Sequence, residues 1–198
     1  AHNLGVVPKT VIVGDRGEAN GIRNSTENIT GTDEGSLKLF NNSAEGTGYF
    51  PATAPDASNF SLTTHGSVNT NASTYIAYVF ADVQGYSRHG TYKGNGNADG
   101  TFVYTGFRPA MVWIKKSSAT GNWVIYDNKR EGYNPKQDDI KFNTDAAEGD
   151  NERILLLSNG FKVNKSDAVV NTSGATFIYA AFAEAPLVNS KGVPCNAR

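Results

Sequence analysis

The chain has almost no sulfur and almost no excess charge. Its 198 residues include one cysteine, Cys195, and one methionine, Met111. A lone thiol closes no internal disulfide, so the sequence is not a disulfide framework and the cysteine says nothing about redox compartment. Lysine and arginine number 18 against 19 acids, for a net charge of −1, and no block of like charges stands out. A phosphate backbone or an anionic membrane therefore has nothing to follow, which argues against nucleic acid as a partner. No apolar run is long enough to span a bilayer, and no segment reads as a signal peptide. The three histidines, His2, His65 and His89, sit in Gly- or Asn-rich turns without ligand-like spacing, so no zinc site and no other cofactor is expected. Asp138, Asp139 and the acids at 145–150 lack the alternating Asp/Asn loop that wraps calcium and read as solvated turn acids. No serine lies in a Gly-x-Ser-x-Gly elbow.

What the chain does have is a repeated phrase. Thr74-Tyr75-Ile76-Ala77-Tyr78-Val79-Phe80-Ala81-Asp82 returns as Thr176-Phe177-Ile178-Tyr179-Ala180-Ala181-Phe182-Ala183-Glu184, at 178 − 76 = 102 residues. Each copy is continuously apolar or aromatic and short, the pattern of a strand buried on both faces. Two further blocks recur in the same order. Leu37-Lys38-Leu39 with Ala44-Glu45-Gly46 answers Ile140-Lys141-Phe142 with Ala147-Glu148-Gly149, and Gly5-Val6-Val7-Pro8-Lys9-Thr10-Val11 answers Gly106-Phe107-Arg108-Pro109-Ala110-Met111-Val112. A spacing near one hundred residues is that of a small domain rather than of a solenoid or propeller repeat.

These blocks predict an all-β protein of two tandem, duplicated, sandwich-like units, with residues 1–85 forming the first, 86–185 the second and 186–198 a tail. Abundant Gly, Asn, Ser and Thr suit short strands joined by many turns. In the second unit Met111 to Lys116 and Trp123 to Asp127 read as a hairpin, with Val112 and Ile114 on one face and Met111 and Trp113 on the other. In the first unit residues 14–35 lack such a second arm and read as a remodelled surface loop. Phe60-Ser61-Leu62-Thr63 and Phe161-Lys162-Val163-Asn164 alternate with period two and predict half-exposed strands. The two Ala-Glu-Gly segments could each support a helical turn, but no segment shows three clear helical turns. Unit one opens abruptly at Ala1, where unit two is preceded by Phe102-Val103-Tyr104, so an earlier strand is expected upstream.

Two constellations are candidates for chemistry. Tyr92, Tyr126 and Tyr133 are the aromatic residues expected to be exposed as a platform for sugar rings, with Asn95 in the neighbouring Gly-Asn-rich loop as a polar ligand-binding partner. The alternative is that they pack within or between subunits. Asp127, Glu131 and Asp139 are the acids from which a glycosidase pair could be drawn, but no motif pairs them and they read as surface acids beside Lys129, Arg130 and Lys136. No catalytic residue is assigned.

Several phrases resemble tail fibres and other virion proteins of tailed bacteriophages, especially those of marine bacteria and cyanobacteria. They are His2-Asn3-Leu4-Gly5-Val6-Val7-Pro8, Tyr75 to Ala81, Gly90-Thr91-Tyr92-Lys93-Gly94-Asn95-Gly96, Gly106-Phe107-Arg108-Pro109, Thr120 to Asp127 and Phe177 to Glu184. The closing Asn196-Ala197-Arg198 resembles the carboxyl end of such proteins. The resemblance implies a non-enzymatic, extracellular virion component at the distal end of a fibre or appendage. It would form a homotrimer, join other tail proteins and recognise a glycan on the host surface without entering the membrane. A capsid decoration or head-fibre protein is the nearest alternative, and a polysaccharide depolymerase the alternative of another class.

Overall fold

The computed structural model describes residues 1–17, 23–26, 35–130, 134, 138–186 and 188–189, with backbone alone at 23–26. The protein is all-β: strands and a single helical turn make up its regular structure among the described residues. None of its described helices is long and apolar enough to cross a membrane. The chain divides into two compact units, Ala1–Ala81 and Asp82–Arg198. The division falls four residues ahead of the expected one, because the Asp82 carboxylate and the Val83 amide bond to residues 87–89.

Unit one is a four-stranded antiparallel sheet in the order β3-β2-β1-β4, built from β1 (Thr10–Asp15), β2 (Arg23–Thr26), β3 (Ser36–Lys38) and β4 (Tyr75–Phe80). Alternation along β1 sends Val11 and Val13 into a core completed by Phe50 and Val68, with Tyr49, Phe60, Leu62, Tyr75 and Val79 packed on it. Val68 comes from α1 (Gly66–Asn69), a single turn that begins where His65 Nδ1 accepts the Ser67 N–H at 3.1 Å.

Three expectations need correction here. The second hairpin arm is not lost: β2 pairs with β1 from Thr10↔Thr26 to Val13↔Arg23. Its residues Arg-Asn-Ser-Thr carry no apolar pattern, so only backbone pairing reveals it as a strand. Residues 60–63 form no strand, although Phe60 and Leu62 still pack on the core. Pro51 and Pro55 lie in the stretch that answers a neighbouring strand of unit two, and proline offers no N–H for a ladder. β4 is not buried on both faces, since Ile76 and Tyr78 are 42% and 48% exposed. Neither Ala-Glu-Gly segment is helical, because Gly46 bridges to Ser36 and Gly149 begins a strand.

Unit two contains β5 (Ser87–Lys93), β6 (Phe102–Tyr104), β7 (Pro109–Lys116), β8 (Trp123–Asp127), β9 (Asp138–Lys141), β10 (Gly149–Asp150), β11 (Ile154–Leu157), β12 (Gly160–Val163) and β13 (Thr176–Ala183). They form a six-stranded sheet, β10-β9-β8-β7-β13-β5, and a three-stranded sheet, β11-β12-β6. Val112, Ile114, Val124, Phe177, Tyr179 and Ala181 from the large sheet meet Val103, Ile154, Leu156, Phe161 and Val163 from the small one in one buried cluster, which makes this unit a sandwich. The face assignment read from alternation holds: Val112 and Ile114 are fully buried in that core, while Trp113 lies against Phe142 and Phe182.

The pairing scheme of unit one recurs in unit two. Thr10 faces Phe80 as Met111 faces Phe182, and Thr10 faces Thr26 as Met111 faces Asp127. Arg23 faces Lys38 as Val124 faces Lys141, and Ser36 faces Gly46 as Asp139 faces Gly149. Offsets of 101 to 103 residues carry the three ladders of the unit-one sheet, and the Ser36–Gly46 bridge beside them, onto pairings of the unit-two sheet.

Candidate functional site

Among the described residues the two tyrosines of the expected platform are buried. Tyr92 is 7% exposed, stacks on Phe177 at 5.1 Å and donates its hydroxyl to the Val170 carbonyl at 2.7 Å. Tyr126 is fully buried because its register partner, Val112, faces the core, and burial pushes its phenol well above the ordinary range. Tyr133 lies outside the described residues. Asn95 is exposed, but its amide is committed to the loop: Oδ1 accepts from Asn97 N–H and Asn171 Nδ2, and Nδ2 donates to the Asp99 carbonyl. The acids are likewise dispersed. Asp127 caps the Lys129 and Arg130 amides and pairs with Arg130 at 2.6 Å, Asp139 is completely buried beside Arg153, and Glu131 lies outside the described residues. No cluster of three or more His, Cys, Asp or Glu able to hold a metal occurs among the described residues.

An open cleft of about 440 Å³ lies elsewhere in unit two, lined by residues of the turn before β5 and of the end of β6. On one side the chain reverses between Val83 and Ser87, whose amides and carbonyls bond each other at 3.0 and 2.9 Å. Gly85 takes φ 72° at the third position of the tighter turn closed by the Tyr86 N–H and the Val83 carbonyl, where a type II turn requires positive φ. This reversal brings Arg88 back beside Asp82: Nη1 stands 3.1 Å from Oδ2, while Oδ1 accepts the His89 N–H at 2.7 Å and lies 3.3 Å from His89 Nδ1.

On the other side β6 ends at Tyr104, which is 65% exposed, and Thr105 and Gly106 continue the wall. The Thr105 and Gly106 amides both donate to the Asn159 carbonyl, and Thr105 Oγ1 donates to the Phe107 carbonyl, so the backbone beneath Tyr104 is tied down. Gln84 and Val83 complete the lining. The cleft therefore combines a carboxylate–guanidinium pair, a side-chain amide and an exposed aromatic side chain. Such a set offers paired donors and acceptors to neighbouring hydroxyls and an apolar surface to a sugar ring.

Burial alone would raise the Asp82 carboxyl, but hydrogen bonds from the His89 side chain and amide, with the charge of Arg88, outweigh it and leave the group below its ordinary value. A carboxyl depressed on folding stabilises above its unfolded pKa of about 3.9, and that contribution disappears as the pH falls through the folded value. Protection of the His89 amide, measured against its intrinsic exchange rate at each pH, is therefore expected to fall as the pH drops below about 4. In Asp82→Asn the same amide should show no such acid step. Hydrogen exchange followed by NMR between pH 3 and 7 checks this.

Sequence reasoning missed this cleft. The one signal available was Asp82 and Arg88 flanking a Gly85-centred turn, the spacing at which a reversal brings two side chains together. No curated protein and no solved structure matches the chain. A family model does match, over residues 1–186, and it carries the description Domain of unknown function (DUF7483). The chain belongs to that family.

Proposed function

We propose that this chain is a non-enzymatic adhesive domain of a virion appendage, made of two copies of one module, whose unit-two cleft takes a glycan of the host surface. The observation that carries the binding reading is the shared cleft of exposed Tyr104 and the Asp82–Arg88 pair. The fourfold coincidence of register supports the copied module. The virion setting rests on the phage-fibre phrases quoted above, and with it go the homotrimer, the neighbouring tail proteins and the extracellular location. Among the described lining residues Asp82 is the only carboxylate, whereas glycoside hydrolysis ordinarily uses two, which favours binding over cleavage.

Two measurements test this reading. Antibody labelling of intact particles is expected to mark the distal end of a tail appendage, and a particle without label would overturn the setting. In Tyr104→Ala, affinity for host-derived oligosaccharide should fall at least about fivefold, as for loss of a contact worth more than about 1 kcal/mol, with the melting temperature unchanged. Undiminished affinity would remove Tyr104 from the site.

A further inference from the structure

β13 is paired on both sides, with β7 on one and with β5 on the other. Its counterpart β4 is paired on one side only: β1 takes residues 75–80, and among the described residues nothing takes the outer edge. Antiparallel alternation identifies the groups left over. The Arg16 N–H donates to the Thr74 carbonyl, so residues 74, 76, 78 and 80 turn their backbone groups toward β1. The N–H and C=O of Tyr75, Ala77 and Val79 therefore point out of the sheet. At the corresponding positions of β13, Phe177, Tyr179 and Ala181 have Tyr92, Gly90 and Arg88 of β5 as partners.

Natural sheets guard open edges with charge, proline, bulges or short strands. β4 has none of these: six residues, Tyr-Ile-Ala-Tyr-Val-Phe, run unbroken, with Ile76 and Tyr78 widely exposed. The start of the chain shows what belongs there. His2 lies against Phe60, with ring centroids 6.4 Å apart, and its N–H donates to the Ser58 carbonyl. Shifted by 101 residues, His2 and Phe60 become Val103 and Phe161, which face each other in the β6–β12 ladder. Residues 1–3, though not a strand, thus lie beside the segment that answers β12 as β6 does in unit two, where the strand ahead of β6 is β5.

We propose that the outer edge of β4 is a strand-acceptor site, filled by the stretch of polypeptide that precedes Ala1 in the repeat position of β5. An offset of 102 places that stretch about ten to sixteen residues before Ala1. It lies antiparallel to β4 and turns every second side chain onto the core beside Tyr75 and Val79. One requirement of unit two is relaxed. At Gly90 a Cβ would come within 3.0 Å of the Tyr179 hydroxyl, but unit one has Ala77 in place of Tyr179, so the incoming strand can carry a side chain there.

The test compares the 198-residue chain with the same chain extended by its natural preceding twenty or so residues, using amide exchange at Tyr75, Ala77 and Val79 read by NMR. The extension is expected to slow exchange at these positions at least about a hundredfold, independently of protein concentration. The proposal is overturned if the gene encodes nothing ahead of Ala1, if the extension leaves exchange unchanged, or if the shorter chain is already protected when dilute. Protection that grows with concentration would assign the edge to a second copy and would equally overturn it. Ala77→Pro removes an N–H that faces away from β1. It should leave the melting temperature of the shorter chain within a few degrees while abolishing the protection in the extended one. Collapse of the shorter chain on this substitution would contradict the assignment of the Ala77 N–H to the outer edge.

Discussion

Asp139→Ala is expected to cost unit two about 3–5 kcal/mol, because it strands a buried guanidinium. Asp139 is completely buried on β9. Its Oδ1 accepts Arg153 Nη1 at 2.7 Å and also bonds the Asn151 amide, and Arg153 Nε lies 3.1 Å from Asp167. Replacing one member leaves the other charged, desolvated and short of partners. Replacing both, as in Asp139→Leu with Arg153→Leu, should recover most of the loss, since a buried ion pair repays little more than its own desolvation. The repeat supplies an internal control. The position answering Asp139 in unit one is Ser36, whose hydroxyl makes one bond to the Gly46 carbonyl at 3.1 Å, so Ser36→Ala should cost only about 1 kcal/mol. Denaturant titration of the three variants checks the order, and an Asp139→Ala variant within about 1 kcal/mol of the parent would show that the network contributes little.

Gly160→Ala should be comparably damaging for a steric reason. A Cβ at this position would stand 2.1 Å from the Val103 carbonyl oxygen and 3.2 Å from the Phe102 ring, and the first of these is backbone, which cannot swing aside. The β6–β12 pairing must open to admit it. The expected penalty is at or beyond about 3 kcal/mol, the upper end of overpacking costs, with a fall in melting temperature of more than about 10 °C. The same pairing holds the Asn159 carbonyl against the Thr105 and Gly106 amides, so on the adhesive reading proposed above any folded fraction should also bind glycan poorly through displacement of Tyr104. A variant that melts within 2 °C of the parent would contradict the close approach.

The parts of this fold that could be read from sequence were those set by covalent order, and the parts that could not were set by which strand lies beside which. The repeat at 102 residues and the alternation of Val112 and Ile114 against Trp113 are properties of single segments. The burial of Tyr126 is not: it follows from pairing with Val112, and register across a hairpin cannot be seen from either strand alone. Tyr92 is buried for the same reason, opposite Phe177. β4 and β13 carry the two copies of one phrase, yet among the described residues only β13 has a neighbour on its outer side, and Ile76 is exposed where Ile178 is buried. Asn95 stands out in sequence for its polar loop, where its side-chain oxygen accepts from the Asn171 amide. The cleft escaped because its parts, Asp82 with Arg88 and Tyr104, meet only once β5 and β6 are placed in their two sheets.

Backbone amide shifts recorded while the protein is titrated with oligosaccharide from the host surface test the adhesive reading most directly. Saturable changes confined to residues 82–88 and 104–106, absent in Tyr104→Ala, are the predicted result. Changes centred elsewhere, no saturable change, or the release of new reducing ends during the titration would contradict it.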